Sequence, residues 1–243
     1  MDAPNPSPSR RSAVACQRWR ITFGRDLEPP EASGGQGGRE YAAWWEQAIA
    51  GSGLPIALTE AGKPRLGLGA ALPAGITGRG ELLDIWTTER LPAWRVRESL
   101  ERCIPQGHRL VALDDVWLGA PPLVGRIAAA DYQVTLRTSL DRAVMAAAAV
   151  RLLAADKLVR ERSKGGGLKT YDLRPLLISI EIGGAPGAGD ASVVARIRAR
   201  IHPEIGSGRP EEVVAALAEE AGAPVETLET IRERLVMVDD LDS

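Results

Sequence analysis

Apolar and polar residues alternate with a period of two over Gln17–Phe23, where Trp19, Ile21 and Phe23 share one face and Arg18, Arg20 and Thr22 the other. This is the pattern of a half-buried strand. Arg39–Ala50 changes to a helical period, with Tyr41, Trp44, Trp45, Ala48 and Ile49 on one side. Asp26–Gly38, with Pro29-Pro30 and four glycines, reads as a loop. Short strands are expected at Leu54–Thr59, Leu66–Leu72 and Glu81–Thr88, a helix at Trp94–Cys103 and an extended run at His108–Leu118. Strand, helix, strands, helix, strand is the βαββαβ order of a ferredoxin-like sandwich.

A similar order follows. Tyr132–Arg137 is strand-like, and Ser139–Leu153 reads as an Ala-rich helix with Ser139 as N-cap. Leu158–Arg162 and Leu168–Leu173 flank Gly165-Gly-Gly167 as a hairpin. Leu176–Ile182 extends, Gly183–Gly189 reads as a loop, and Ser192–Ile201 alternates so that Val194, Arg196, Arg198 and Arg200 share a face. Pro210–Ala221 has Pro at its first turn and Gly222 past its end, the usual helix asymmetry, and Thr230–Val238 is a closing strand. The expected fold class is α+β, two tandem ferredoxin-like (βαββαβ) sandwiches with antiparallel sheets. The expected division is a flexible tail over 1–15, a first half over 16–120 and a second half over 121–243.

Composition narrows the function. No apolar run reaches the roughly 18 residues of a membrane span, and the Pro/Ser/Arg-rich start lacks the apolar stretch of a signal peptide, so a cytoplasmic protein is expected. Cys16 and Cys103 are the only thiols among 243 residues and rule out a disulfide framework. The formal charge of −2 divides unevenly: Glu211–Ser243 has ten acids and two bases, so residues 1–210 carry +6. His108 and His202, the two imidazoles, sit at turn-like connections and are expected to be exposed. No metal site or cofactor is expected. A Ser or Cys nucleophile would need an organised base, and none is visible, so no catalytic residue is assigned.

Several stretches resemble an uncharacterised radical SAM-linked family. They are Gly53-Leu-Pro-Ile-Ala-Leu-Thr-Glu60, Lys63-Pro-Arg-Leu-Gly-Leu-Gly69 with Glu81-Leu-Leu-Asp84, Ala128-Ala-Ala-Asp-Tyr-Gln-Val134, Thr170-Tyr-Asp-Leu-Arg-Pro175 and Gly208-Arg-Pro-Glu-Glu-Val213. The resemblance covers about residues 16–237. Such proteins occur fused to a radical SAM protein or as separate chains. This chain departs from the family pattern at Gly37-Gly-Arg-Glu40, where a Ser-His-Leu-Asp segment is usual, and at Ala61-Gly-Lys-Pro64, which lacks a longer His-bearing stretch. A radical SAM cluster needs three closely spaced thiolates. The resemblance therefore implies a non-catalytic accessory or substrate-binding module whose radical SAM partner is encoded separately, and it points to Glu40, Lys63, Arg65 and Asp84 as first-half candidates.

Asp172 and Arg174, two apart in a short strand, would share a face and could hold a polar ligand or pair with neighbouring charges. Basic residues support a different reading. Arg151–Thr170 contains six bases and two acids. Arg160, Arg162, Lys164 and Lys169 on the hairpin, with Arg196, Arg198 and Arg200, could track an RNA backbone. Against it, only Tyr171 is present there to stack a base. A metal-independent enzyme centred on Lys63, Arg65 and Asp84 is the third class.

Overall fold

In the computed structural model, residues 14–26, 38–164, 167–184, 192–202 and 204–241 are described. The chain runs β1 (Gln17–Arg25), α1 (Gly38–Ala50), β2 (Leu66–Leu68), β3 (Thr77–Thr87), α2 (Ala93–Cys103) and β4 (His108–Val116). It continues through β5 (Ile127–Arg137), α3 (Arg142–Ala154), β6 (Val159–Lys164), β7 (Gly167–Asp172), β8 (Leu177–Gly184), β9 (Ser192–His202), β10 (Gly206–Ser207), α4 (Pro210–Ala221) and β11 (Glu226–Met237). A 3-10 turn, Arg174–Leu176, precedes β8, and another, Val238–Asp240, follows β11.

Nine strands form one sheet in the order β10-β9-β5-β11-β3-β1-β4, with β2 on β3 and β8 on β9, while β6 and β7 pair apart as a hairpin. Two separate sheets were expected. They merge because β11 lies parallel to β3, Ile231 opposite Thr77 and Arg232 opposite Gly78. All other pairs are antiparallel. The protein is thus α+β, with four helices and one large, mostly antiparallel sheet among the described residues.

The alternation of β1 carries through. Trp19, Ile21 and Phe23 enter a core with Trp45 and Ile49 of α1 and Val96 and Leu100 of α2. A second core joins Ala130, Tyr132, Val134 and Leu136 of β5 to Met145, Ala148, Ala149 and Leu152 of α3 and to Val213, Ala216 and Leu217 of α4. Between the two cores Arg232 is buried; its Nε donates to Glu81 at 2.8 Å, and its other nitrogens reach the carbonyls of Ala71 (3.0 Å) and Ala70 (2.7 Å). Burial of Arg232 works against its charge, but the hydrogen bond and charge of Glu81 prevail and raise its pKa. Tyr132, opposite Arg232, is pushed up by burial.

Some local expectations fail for identifiable reasons. Leu54–Thr59 makes only isolated bridges, Ile56 to Thr87 and Leu58 to Pro64, and of Leu66–Leu72 only Leu66–Leu68 is strand. The helix expected from Ser139 starts at Arg142, because the Leu140 amide donates to the Thr138 hydroxyl at 3.2 Å and holds that segment in a turn. The tail over residues 1–13 and the Gly165-Gly166 tip lie outside the described residues. No helix among those described is long and apolar enough to cross a membrane.

Candidate binding surface on the open sheet face

The helix-free face of the first half is closed over charge. Arg20 stands opposite Asp84 in register, and the buried Asp84 carboxylate accepts from Arg20 Nε (2.9 Å) and from Arg18 Nε (3.0 Å). Arg18 also donates to the Ala120 and Pro121 carbonyls, so the β4–β5 loop lies over this face. Trp86 sits between two guanidinium groups, Arg18 at 4.9 Å and Arg65 at 4.5 Å from its ring centroid. Asp84 and Arg65 are thus linked only through Arg18 and Trp86, and both are committed to partners inside the protein. Lys63 lies apart on an exposed turn, paired with Glu46 at 2.8 Å. Glu40 falls in the first turn of α1, and its side chain is outside the described residues.

Among the described residues, the corresponding face of the second half stays open. Asp131 on β5 is opposite Arg198 on β9, and its carboxylate accepts from Arg198 Nε (2.8 Å) and Arg234 Nε (2.8 Å). Burial tends to raise its pKa, but hydrogen bonds from Arg198 and Arg234 outweigh it and hold Asp131 below the usual carboxylate value. The bond to Asp131 also raises Arg198. This ion-paired floor belongs to a groove of about 410 Å³ lined by Gln133, Ser179, Glu181, Arg196 and Glu233 as well. Glu181 stands opposite Arg196, and Ser179 opposite Arg198. Among the described residues, the side chains of Gln133, Ser179 and Arg196 make no hydrogen bond, so donors and an acceptor are presented to whatever enters. Arg200, exposed, continues the row opposite Ala129.

The hairpin bases are placed differently. Arg160 donates to Glu219 of α4 at 2.7 Å, and the Tyr171 hydroxyl donates to Glu212 of the same helix. The acidic helix therefore faces the basic hairpin. Arg162 lies opposite Lys169 and Lys164 opposite Gly167 in the backbone register; their side chains lie outside the described residues.

Asp172 and Arg174 do not share a strand face, because β7 ends at Asp172 and Arg174 opens a 3-10 turn. Asp172 accepts from the Leu158 (2.8 Å) and Arg174 (3.0 Å) amides. Arg174 donates to the Leu177 (3.1 Å) and Leu153 (2.6 Å) carbonyls, and both residues thus close the chain rather than face a ligand.

His108 is not an exposed turn residue. It is half-buried among Phe23, Tyr41, Trp44 and Trp45, with ring centroids 5.1–5.9 Å away, and lies 3.2 Å from the Tyr41 hydroxyl. Burial pushes Tyr41 up to about 12. His202 accepts from the Glu204 (3.2 Å) and Ile205 (3.3 Å) amides at Nδ1 and shapes a turn. Sequence reasoning missed Asp131, Gln133, Ser179, Glu181 and Glu233 as groove residues. The available signal was the alternation of Arg196, Arg198 and Arg200; the acids opposite them become visible only with the register.

A model of a protein family described as "Uncharacterized protein conserved in bacteria (DUF2344)" matches residues 36–213. No curated protein matches. Among solved structures, the chain is similar to one in a "Crystal Structure of a Cbf5-Nop10-Gar1 Complex", at 11% identity and a TM-score of 0.49, over 89% of this chain and 48% of that one. It spans about half the length of that protein.

Proposed function

We propose that this chain, which belongs to the uncharacterised bacterial family DUF2344, is a non-catalytic accessory module that holds a polar substrate for a separately encoded radical SAM protein in the cytoplasm. The observation that carries the reading is the open groove on β5, β8, β9 and β11. Its floor is fixed by Asp131 between two guanidinium groups, and Gln133, Ser179 and Arg196 are left uncommitted. Preorganised polar groups around a cleft orient a small polar ligand. The link to radical SAM chemistry comes from the family resemblance and from the two cysteines, too few for a cluster. We also infer that each half is ferredoxin-like, supported by the strand orders β2-β3-β1-β4 and β8-β9-β5-β11.

The test is co-expression with a radical SAM protein encoded in the same gene neighbourhood, followed by size-exclusion chromatography and turnover. A complex whose turnover falls with Arg196→Glu supports the reading. A chain that always elutes alone beside a folded, cluster-loaded partner sinks it. RNA binding is the second reading and is favoured by exposed Arg196 and Arg200 on one face. Asp131 and Glu181 opposite the arginines weaken that face for a polyanion. RNA affinity falling steeply with salt would favour it over the accessory reading.

A further inference from the structure

Across the groove the strand registers set out side chains in rows on one face. Gln133 of β5, Arg196 of β9 and Glu181 of β8 form one row, and Asp131, Arg198 and Ser179 the next. Positions paired across neighbouring strands point to the same side, so an arginine and an acid directly opposite ordinarily close into an ion pair. Asp131 and Arg198 do so. Arg196 and Glu181 do not: among the described residues, neither makes a hydrogen bond or an ion pair with any side chain.

The reason lies in where the two side chains go. Arg196 leans along the sheet to β8 at Gly183, where an added Cβ would lie 3.5 Å from its Nη1, and glycine leaves that place bare. Glu181 acts in the direction of Arg198, which is held up first by its hydrogen bond to Asp131 and also by the charge of Glu181. A guanidinium and a carboxylate are thus parted on neighbouring strands, and both are exposed. The other charges of the lining are already matched, Asp131 by Arg198 and Arg234, and Glu233 by Arg79. A phosphate drawn to Arg196 also meets Glu181, and like charge in the same groove weakens it. A neutral sugar gains nothing from either ion. A ligand with an anion and a cation on adjacent atoms answers both, through hydrogen bonds of the stronger, charge-assisted kind.

We propose that the groove binds a free polar α-amino acid, its carboxylate on Arg196 and its ammonium on Glu181, with its side chain over Gln133 and Ser179. This rests on the reading of the groove as the substrate site and adds the class of substrate. The probes are L-serine, L-threonine, L-asparagine and L-glutamine, each titrated into the full chain by isothermal calorimetry up to about 10 mM, where a millimolar site is filled. At least one should bind, and its N-acetyl and methyl-ester forms, which cancel one charge each, should bind about tenfold more weakly. Glu181→Gln should weaken the free amino acid about tenfold but leave the N-acetyl form unchanged. Arg196→Gln should weaken it as much but leave the methyl ester unchanged, since a contact already removed from the ligand cannot be lost again. Arg97→Gln on α2 should have no effect.

Both altered side chains are exposed, so the variants keep the fold, which circular dichroism checks. No binding by any of these amino acids overturns the proposal, as does an N-acetyl form that binds as well as its parent. An affinity that survives both substitutions overturns it too. If an amino acid binds as expected but no radical SAM complex forms, the accessory reading falls and the amino-acid site stands. If that complex forms and its turnover falls with Arg196→Glu while none of the amino acids binds, the substrate class falls and the accessory reading stands.

Discussion

Replacing Arg232 by Met tests whether the buried ion pair joins the two halves of the sheet. Arg232 binds Glu81 and the carbonyls of Ala70 and Ala71, and its side chain is 1% exposed against 5% for Glu81. Methionine fills much of the volume but leaves the Glu81 carboxylate and two carbonyls without a donor. Breaking a buried pair on one side costs about 3–5 kcal/mol, which in a chain of this size lowers the melting temperature by about 6–20 °C. Urea unfolding followed by fluorescence and by far-ultraviolet circular dichroism measures the loss. The double variant Arg232→Met with Glu81→Leu removes both charges, and part of the loss should return, because an apolar pair replaces a buried ionic one at small cost. A loss below about 1 kcal/mol in the single variant would refute the argument, since an uncompensated buried carboxylate cannot be that cheap. A double variant less stable than the single one would refute it too.

Two further outcomes follow from the groove and the seam. The pKa of Asp131 is depressed in the folded state, so its ion pairs contribute stability above its ordinary value of 3.8, and this is lost as pH falls through the lower folded value. Asp131→Asn should therefore lower stability at pH 7 and flatten its fall below pH 4, measured by urea titration at several pH values; an unchanged acid limb would contradict the assignment. At Gly80 a Cβ would come within 2.7 Å of the Glu233 carbonyl, so Gly80→Ala should push β3 from β11 and destabilise by about 1–3 kcal/mol in thermal melts, whereas no change would mean that the seam yields freely.

What the sequence revealed was mostly local. Pro210 and Gly222 mark α4 at its observed ends, with Gly222 in the left-handed region at φ 73°. The alternation in β1 correctly sends Trp19, Ile21 and Phe23 to the core. It does not reveal that Arg18 is buried, because the carbonyls that cover it arrive about a hundred residues later. The strand expected from Glu81 starts at Thr77, and the bare Gly80 in that added stretch is what allows β11 to approach. The parallel pairing of Ile231 with Thr77 leaves no local pattern, so the single sheet could not be foreseen. His108 was misplaced because its aromatic neighbours come largely from α1, far away in sequence.

The short parallel seam has a consequence for the chain as a manufactured object. The outer edge of β3 is shared between β2, which covers residues 83–85, and β11, which covers residues 77 and 78. If the second half were missing or folded late, the free edge would present unpaired amides and carbonyls to any extended chain nearby, the usual start of edge-to-edge aggregation. β11 leaves the ribosome well after the strands of the half that it seals. The exposed edge of the first half is in this sense completed only when β11 takes its place.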